Sequence, residues 1–239
     1  MLPDGTLLVA QANQTNSSLL LLSPCDADGH RIPTTWSTSH LDHPYGVASA
    51  SDGDIYVTNQ DDGSVVRYVP DTANAPSTTV FKSLKTSAAV RGVAVNDHAV
   101  FVATESSDHI HVLDLTTGKS LEKLDLSSPI GLYIDVPTGL LLVSSNHKSD
   151  PSVCFYDGAT FAAHGCVSLP STHPAGLTVH TVGGQRLVYV LLQDEQQLAS
   201  FVFPSTDQLG DKASSTISIP VSIVTTLPGS PEQIFVSPC

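Results

Sequence analysis

Charge is scarce in this 239-residue chain, and positive charge is scarcest: 14% of residues are charged, with 10 Lys and Arg against 23 Asp and Glu. The resulting net charge of -13 sets up a field that repels phosphate backbones and anionic lipid heads, so no nucleic-acid partner is expected. Long apolar runs are missing as well. The run in SSLLLLSP falls far short of the ~20 residues that cross a bilayer, so no membrane span is expected. The four cysteines, Cys25, Cys154, Cys166 and Cys239, show no C-x-x-C spacing, which argues against a zinc knuckle or a thioredoxin-type pair. Catalytic signatures are lacking too: there is no G-x-S-x-G elbow, no H-E-x-x-H, no P-loop and no G-x-G-x-x-G. No residue is therefore assigned as catalytic, and the reading leans away from an enzyme.

What is present points outside the cell. Ser and Thr, rather than Lys and Glu, fill much of the polar surface. Two adjacent N-glycosylation acceptors occur at Asn13-Gln14-Thr15 and Asn16-Ser17-Ser18. An even cysteine count permits two disulfides in an oxidising compartment. The opening MLPDGTLLVAQANQ has no basic region followed by an apolar run, so an export leader is expected upstream of Met1.

The chain repeats itself. HPYGVAS at 43 has relatives in AVRGVAV, SPIGLYI, HPAGLTV and SPEQIFV, with landmarks Gly46, Gly92, Gly131, Gly176 and Gln233 about 45 residues apart. Each is followed by a second run such as DIYVTNQ or LLLVSSN, a third such as SVVRYVP or SVCFYDG, and a weaker fourth such as TTVFKSL or SIVTTLP. Short β-branched and aromatic runs punctuated by Gly, Asp, Asn, Ser and Pro are strands and turns, and no segment offers a helical period. Four antiparallel strands at this spacing specify propeller blades.

The fold class expected is thus an all-β, five-bladed β-propeller in one domain over residues 1–239, closed by pairing of its N- and C-terminal strands. Blade 1 takes residues 1–42 with 229–239, blade 2 residues 43–86, blade 3 residues 87–126, blade 4 residues 127–170 and blade 5 residues 171–228. IYVTNQDDGSVVRYVPDT resembles the YVTN-type repeat through Tyr56, Val57, Thr58 and Asn59, and HPYGVAS with HPAGLTV is similar to the opening of NHL-type blades. The resemblance in organisation covers almost the whole chain, but FVATE, LVSSN and YVLLQ replace YVTN elsewhere. It implies a propeller. It implies no single activity, because the family spans scaffolds, surface proteins, lyases and lactonases.

In such a fold the loops before the first strand and between the second and third strands share one face, the default ligand site. That face collects His43, Tyr45, Arg91, Ile130, His173 and Glu232 near the channel. Asn59, Asp61, Asp62, Asp108, Asn146, His147, Asp150, Asp194 and Glu195 lie farther out. His43 and His173, at matching blade positions, could ligate a metal; turn residues before Pro are the favoured reading, since two units of five carry them. A carboxylate rim can take calcium through oxygen ligands. A solvated acidic rim is preferred, and no cofactor is assigned. DADGHR at 26–31 looks like a calcium loop without its later ligands, and HIH at 109–111 lacks a third ligand.

Two disulfides are expected. Cys25 and Cys239 follow strands that end on the same face, and a clasp between them would close nearly the whole chain and stabilise it by about 4 to 5 kcal/mol. Cys154 and Cys166 flank a turn on the third and fourth strands of one blade, one or two positions out of register. The functional expectation is a secreted glycoprotein propeller acting as a binding or assembly module, with a protein or glycan partner and self-association through a fourth-strand edge in STISIPVSIVTTLP. The alternative is an extracellular lyase, lactonase or glycosidase working at the channel mouth.

Overall fold

The computed structural model describes residues 5–13, 16–71, 76–81, 89–170, 173–210 and 216–227. The fold is an all-β, five-bladed propeller of antiparallel four-stranded blades. Among the described residues the first sheet has three strands: β1 (Leu7–Gln11), β2 (Ser18–Leu22) and β3 (Pro33–Ser37). The second contains β4 (Pro44–Ser49), β5 (Ile55–Asn59), β6 (Val65–Val69) and β7 (Ser77–Phe81). The third contains β8 (Val90–Val95), β9 (Val100–Thr104), β10 (His109–Leu113) and β11 (Ser120–Asp125). The fourth contains β12 (Pro129–Asp135), β13 (Leu140–Ser145), β14 (Ser152–Asp157) and β15 (Ala163–Ser168). The fifth contains β16 (Pro174–Val182), β17 (Gln185–Leu192), β18 (Gln197–Val202) and β19 (Ser222–Thr226). Helix is confined, among the described residues, to one 3-10 turn over Glu105–Ser107. The expected closing strand at 229–239 lies outside the described residues.

The chain divides into two compact units. One is built on the first two sheets with β8 and His111–Lys123, the other on Ala103–Ile110 and the last two sheets. In the first unit Leu19, Ile55, Val57, Val66 and Tyr68 form one core cluster, and Tyr56, Phe81, Val100 and Leu113 anchor another. In the second, Leu142, Phe155, Val188, Val190 and Phe201 pack together. Each such side chain contributes about 1.5 to 3 kcal/mol by leaving water.

The second strands explain why the pattern reads as continuous rather than alternating. Every residue of β5, β9 and β13 is buried, so both faces of these strands are covered and apolar residues occur without a gap. Where polar residues interrupt them, they do structural duty. The Thr58 hydroxyl accepts from Gly46 N–H at 2.9 Å and donates to the Arg91 carbonyl at 2.5 Å, which joins the second sheet to the third. Ser144 repeats the arrangement, accepting from Gly131 N–H at 2.8 Å and donating to the Ala175 carbonyl at 2.6 Å. The neighbouring backbone comes so close that a Cβ on Gly131 would lie 2.3 Å from the Ala175 oxygen, and one on Gly46 would lie 2.9 Å from Val93 N. Glycine is required there by space, not by backbone angle.

Two arginines tie the turns at the other strand ends. Arg67 pairs with the buried Asp54, and Arg186, stacked over Phe203, pairs with the buried Asp135. Cys154 and Cys166 stand directly opposite each other on β14 and β15, with Cα atoms 4.0 Å apart, and are joined. The offset expected from the sequence is absent because the bulge falls between Phe155 and Tyr156, on the turn side of the pair. Cys25 is disulfide-bonded; Cys239, its expected partner, lies outside the described residues. The long connection after β18 returns to the fourth blade. Ile217 N–H donates to the Cys166 carbonyl and Gly210 N–H to the His164 carbonyl, so Gly210, Thr216 and Ile217 lie along the outer edge of β15.

Candidate functional site

The residues that open the blades share one local device. His43, Ser128 and His173 each precede a proline, and each adopts a left-handed backbone with φ of 52°, 45° and 58°. The carbonyl of each accepts the N–H that ends the second strand of its own blade: Gln60 to His43, Asn146 to Ser128 and Gln193 to His173. In these three blades the loop before the first strand is therefore stitched to the loop after the second.

Side chains then lock these turns. Asn59 is fully buried: its amide donates to the His40 carbonyl and to Ser64 Oγ, and its oxygen accepts from Asp42 N–H. Asn146 Oδ1 accepts from His173 N–H, and Asp108 Oδ1 accepts from Ser128 N–H, each binding the opening turn of the following blade. Arg91 donates to Gln60 Oε1 at 2.6 Å and lies over the Tyr45 ring, 5.1 Å from its centroid. Of the candidate ligand residues, Asn59, Tyr45 and Arg91 are thus engaged within the fold. Glu232 lies outside the described residues.

The two histidines keep half-exposed rings, and each meets a carboxylate of its own blade. His43 Nδ1 is 3.3 Å from Asp61 Oδ1, and His173 Nδ1 contacts Asp194. Sequence reading placed all four residues on one face; it did not foresee the pairing, and the separations, 18 residues in one pair and 21 in the other, give no shared signal for it. Beside His43 a depression of about 420 Å³ is lined by Asn13, Ser17, Leu41, Asp42, His43 and Asp61. A second, of about 340 Å³, shares Leu41 and Asp42 and adds His40, Asp62, Ser64 and Thr38. The exposed Asp61 and Asp62, with Asp42, make this region acidic. Of its lining residues, Asn13, Leu41, Asp42 and His40 escaped the sequence reading as neighbours of His43.

Elsewhere, Asp26, Asp28 and His30 gather donor atoms within 4.8 Å of one another on an exposed turn. Asp26 Oδ1 accepts from the N–H groups of Asp28 and His30, which is the work of a turn aspartate. His109 lies 3.0 Å from Asp125, and His111 is buried. Exposed Asn13 and Asn16 flank the β1–β2 turn, with Ser17 Oγ donating to the Asn13 carbonyl.

No family model matches the chain, and no curated protein matches it in sequence. Solved structures resemble it. A putative 6-phosphogluconolactonase from Bacteroides uniformis has a TM-score of 0.63 at 14% identity, covering 94% of this chain and 72% of that one. Streptogramin B lyase gives 0.63 at 14%, covering 97% and 73%. A chain of a nidogen/laminin complex gives 0.58 at 15%, covering 82% and 89%. These neighbours are β-propeller proteins. They include enzymes and a binding module, and at such identities the likeness shows the fold alone.

Proposed function

We propose that this chain is a secreted propeller glycoprotein of the NHL/YVTN type, one domain that serves as a binding or assembly module for a protein or glycan partner. The observation that carries the reading is the consumption of polar loop side chains in the frame itself. Asn59, Asn146, Asp108, Gln60 and Arg91 spend their hydrogen bonds on turns and blade junctions. The exposed chemistry that remains around His43 is a shallow acidic surface suited to contact, with carboxylates Asp42, Asp61 and Asp62. The bonded Cys154–Cys166 pair and Cys25 accord with an oxidising compartment. The matched chain of the nidogen/laminin complex is an example of the fold in a protein complex.

Expression of the full chain behind a secretion signal in a eukaryotic host tests this reading. Glycan mass that is lost with a glycosidase and in Asn13→Gln and Asn16→Gln is the expected result. Quantitative secretion without any glycan would remove the glycoprotein part, and retention as a reduced intracellular protein would overturn the reading.

The paired histidines motivate a second reading, an extracellular enzyme of the lyase, lactonase or glycosidase kind. It requires a bound metal by elemental analysis, lost when His43 and His173 are replaced. A metal-free protein that cleaves no lactone or sugar ester counts against it.

A further inference from the structure

We infer that β19 joins two copies of this chain, by antiparallel β19–β19 pairing about a two-fold axis at Val224. The inference rests on the assembly reading above and names its partner and its contact.

Every other described outer strand buries at least one residue: Ser37 on β3, Phe81 on β7, Leu124 on β11, Gly165 and Val167 on β15. β19 buries none, although it carries Ile223 and Val224, 46% and 51% exposed. Exposed edges invite pairing with another chain and are normally blunted by charge, by proline or by cover. β3 begins at Pro33, β11 carries Glu122, Lys123 and Asp125, and β15 is covered through Gly210 and Ile217. Among the described residues β19 stands at the end of its sheet with no charge, proline or cover along it, and the sequence has no charged residue between Lys212 and Glu232.

Three considerations select a second copy as the occupant. The chain's net charge of -13 opposes contact between copies over acidic surface, and the charge-free stretch removes that opposition locally. Pro220 and Pro228 in the sequence lack the N–H that a ladder needs, which bounds the pairing segment to 221–227 with Val224 at its centre. An antiparallel pair centred there sets Ile223 opposite Thr225 and Ser222 opposite Thr226 of the second copy. Side chains of that kind make favourable cross-strand pairs. The contact is self-complementary and closes on itself, as a two-fold dimer must.

Sedimentation velocity of the native full chain over a concentration series tests the inference. The expected species is a dimer. Val224→Lys, which sets like charges against each other at the axis, should weaken the dimer at least about tenfold while the circular dichroism and thermal midpoint stay those of the parent. Val224→Cys should form an intermolecular disulfide under mild oxidation, and Val202→Cys, exposed on β18 behind the edge, should not. A parent chain that is monomeric throughout overturns self-pairing and leaves the secretion and glycan results to judge the broader reading. A dimer that survives Val224→Lys, with no disulfide from Val224→Cys, overturns β19 as the contact.

Discussion

At Ser144 one hydroxyl serves two backbone groups, Gly131 N–H in its own blade and the Ala175 carbonyl in the next. All of this is buried, so losing the oxygen strands both groups, a cost of about 1 to 3 kcal/mol. Ser144→Ala and Thr58→Val are each expected to lose that much by urea unfolding, whereas Thr58→Ser, which keeps the hydroxyl, should lose less than about 1.5 kcal/mol. Gly131→Ala is expected to be worse than either, because the new Cβ meets a backbone oxygen at 2.3 Å that can move only with its strand. A loss of about 3 kcal/mol or more is expected, with a fall in soluble yield. A value below about 1 kcal/mol would show that the junction relaxes. The Gly and Thr were visible in the sequence as landmarks of the repeat. Their hydrogen bond was not, because it spans 12 residues, and the carbonyl that the Thr58 hydroxyl in turn reaches, that of Arg91, belongs to the next blade.

Among elements, the turns and edges fix behaviour. In the turn after β14, Asp157 accepts first from Thr160 N–H and then from Ala159 N–H, which holds its carboxyl below the ordinary aspartate range. Asp114, with Thr117, does the same after β10. A carboxylate whose folded value lies below its unfolded one adds stability that is present above about pH 4 and is lost as pH falls through the folded value. Urea midpoints measured from pH 6 to pH 2 should therefore fall, and the fall should be shallower in Asp157→Asn. Equal slopes would remove the turn carboxylate from the acid response. The Cys154–Cys166 link closes a loop of separation 12. Replacing both with Ser should lower stability by about 2 to 3 kcal/mol, read by unfolding with and without reductant. Of the elements themselves, all nineteen described strands fall on runs legible in the sequence, because strand period and turn residues are local signals. The cover that Gly210, Thr216 and Ile217 lay over β15 was illegible, since pairing with a distant edge leaves no local pattern.

For the whole molecule, charge is the governing quantity. With -13 on 239 residues, like charges crowd the folded surface more than they do an expanded chain. Raising salt from about 10 mM to about 200 mM should screen that repulsion and raise the thermal midpoint, while the pairs at buried Asp54 and Asp135 respond little. A midpoint that falls with salt would mean that surface ion pairs outweigh repulsion. Five-bladed architecture was legible at this scale because the repeat recurs around the whole chain. Of the candidate site, loop positions were legible from the order of strands, but which carboxylate each histidine meets depends on loop conformations that no period encodes.

The junction hydroxyls hold one further consequence. Thr58 and Ser144 hand their protons to main-chain oxygens, of Arg91 and Ala175, and every amino acid carries such an oxygen. The receiving half of the seam is blind to side-chain identity. Mutational drift can therefore rewrite the receiving strand of one blade without loosening its neighbour, and copies of an ancestral unit can diverge until little but a glycine and a hydroxyl betrays their kinship.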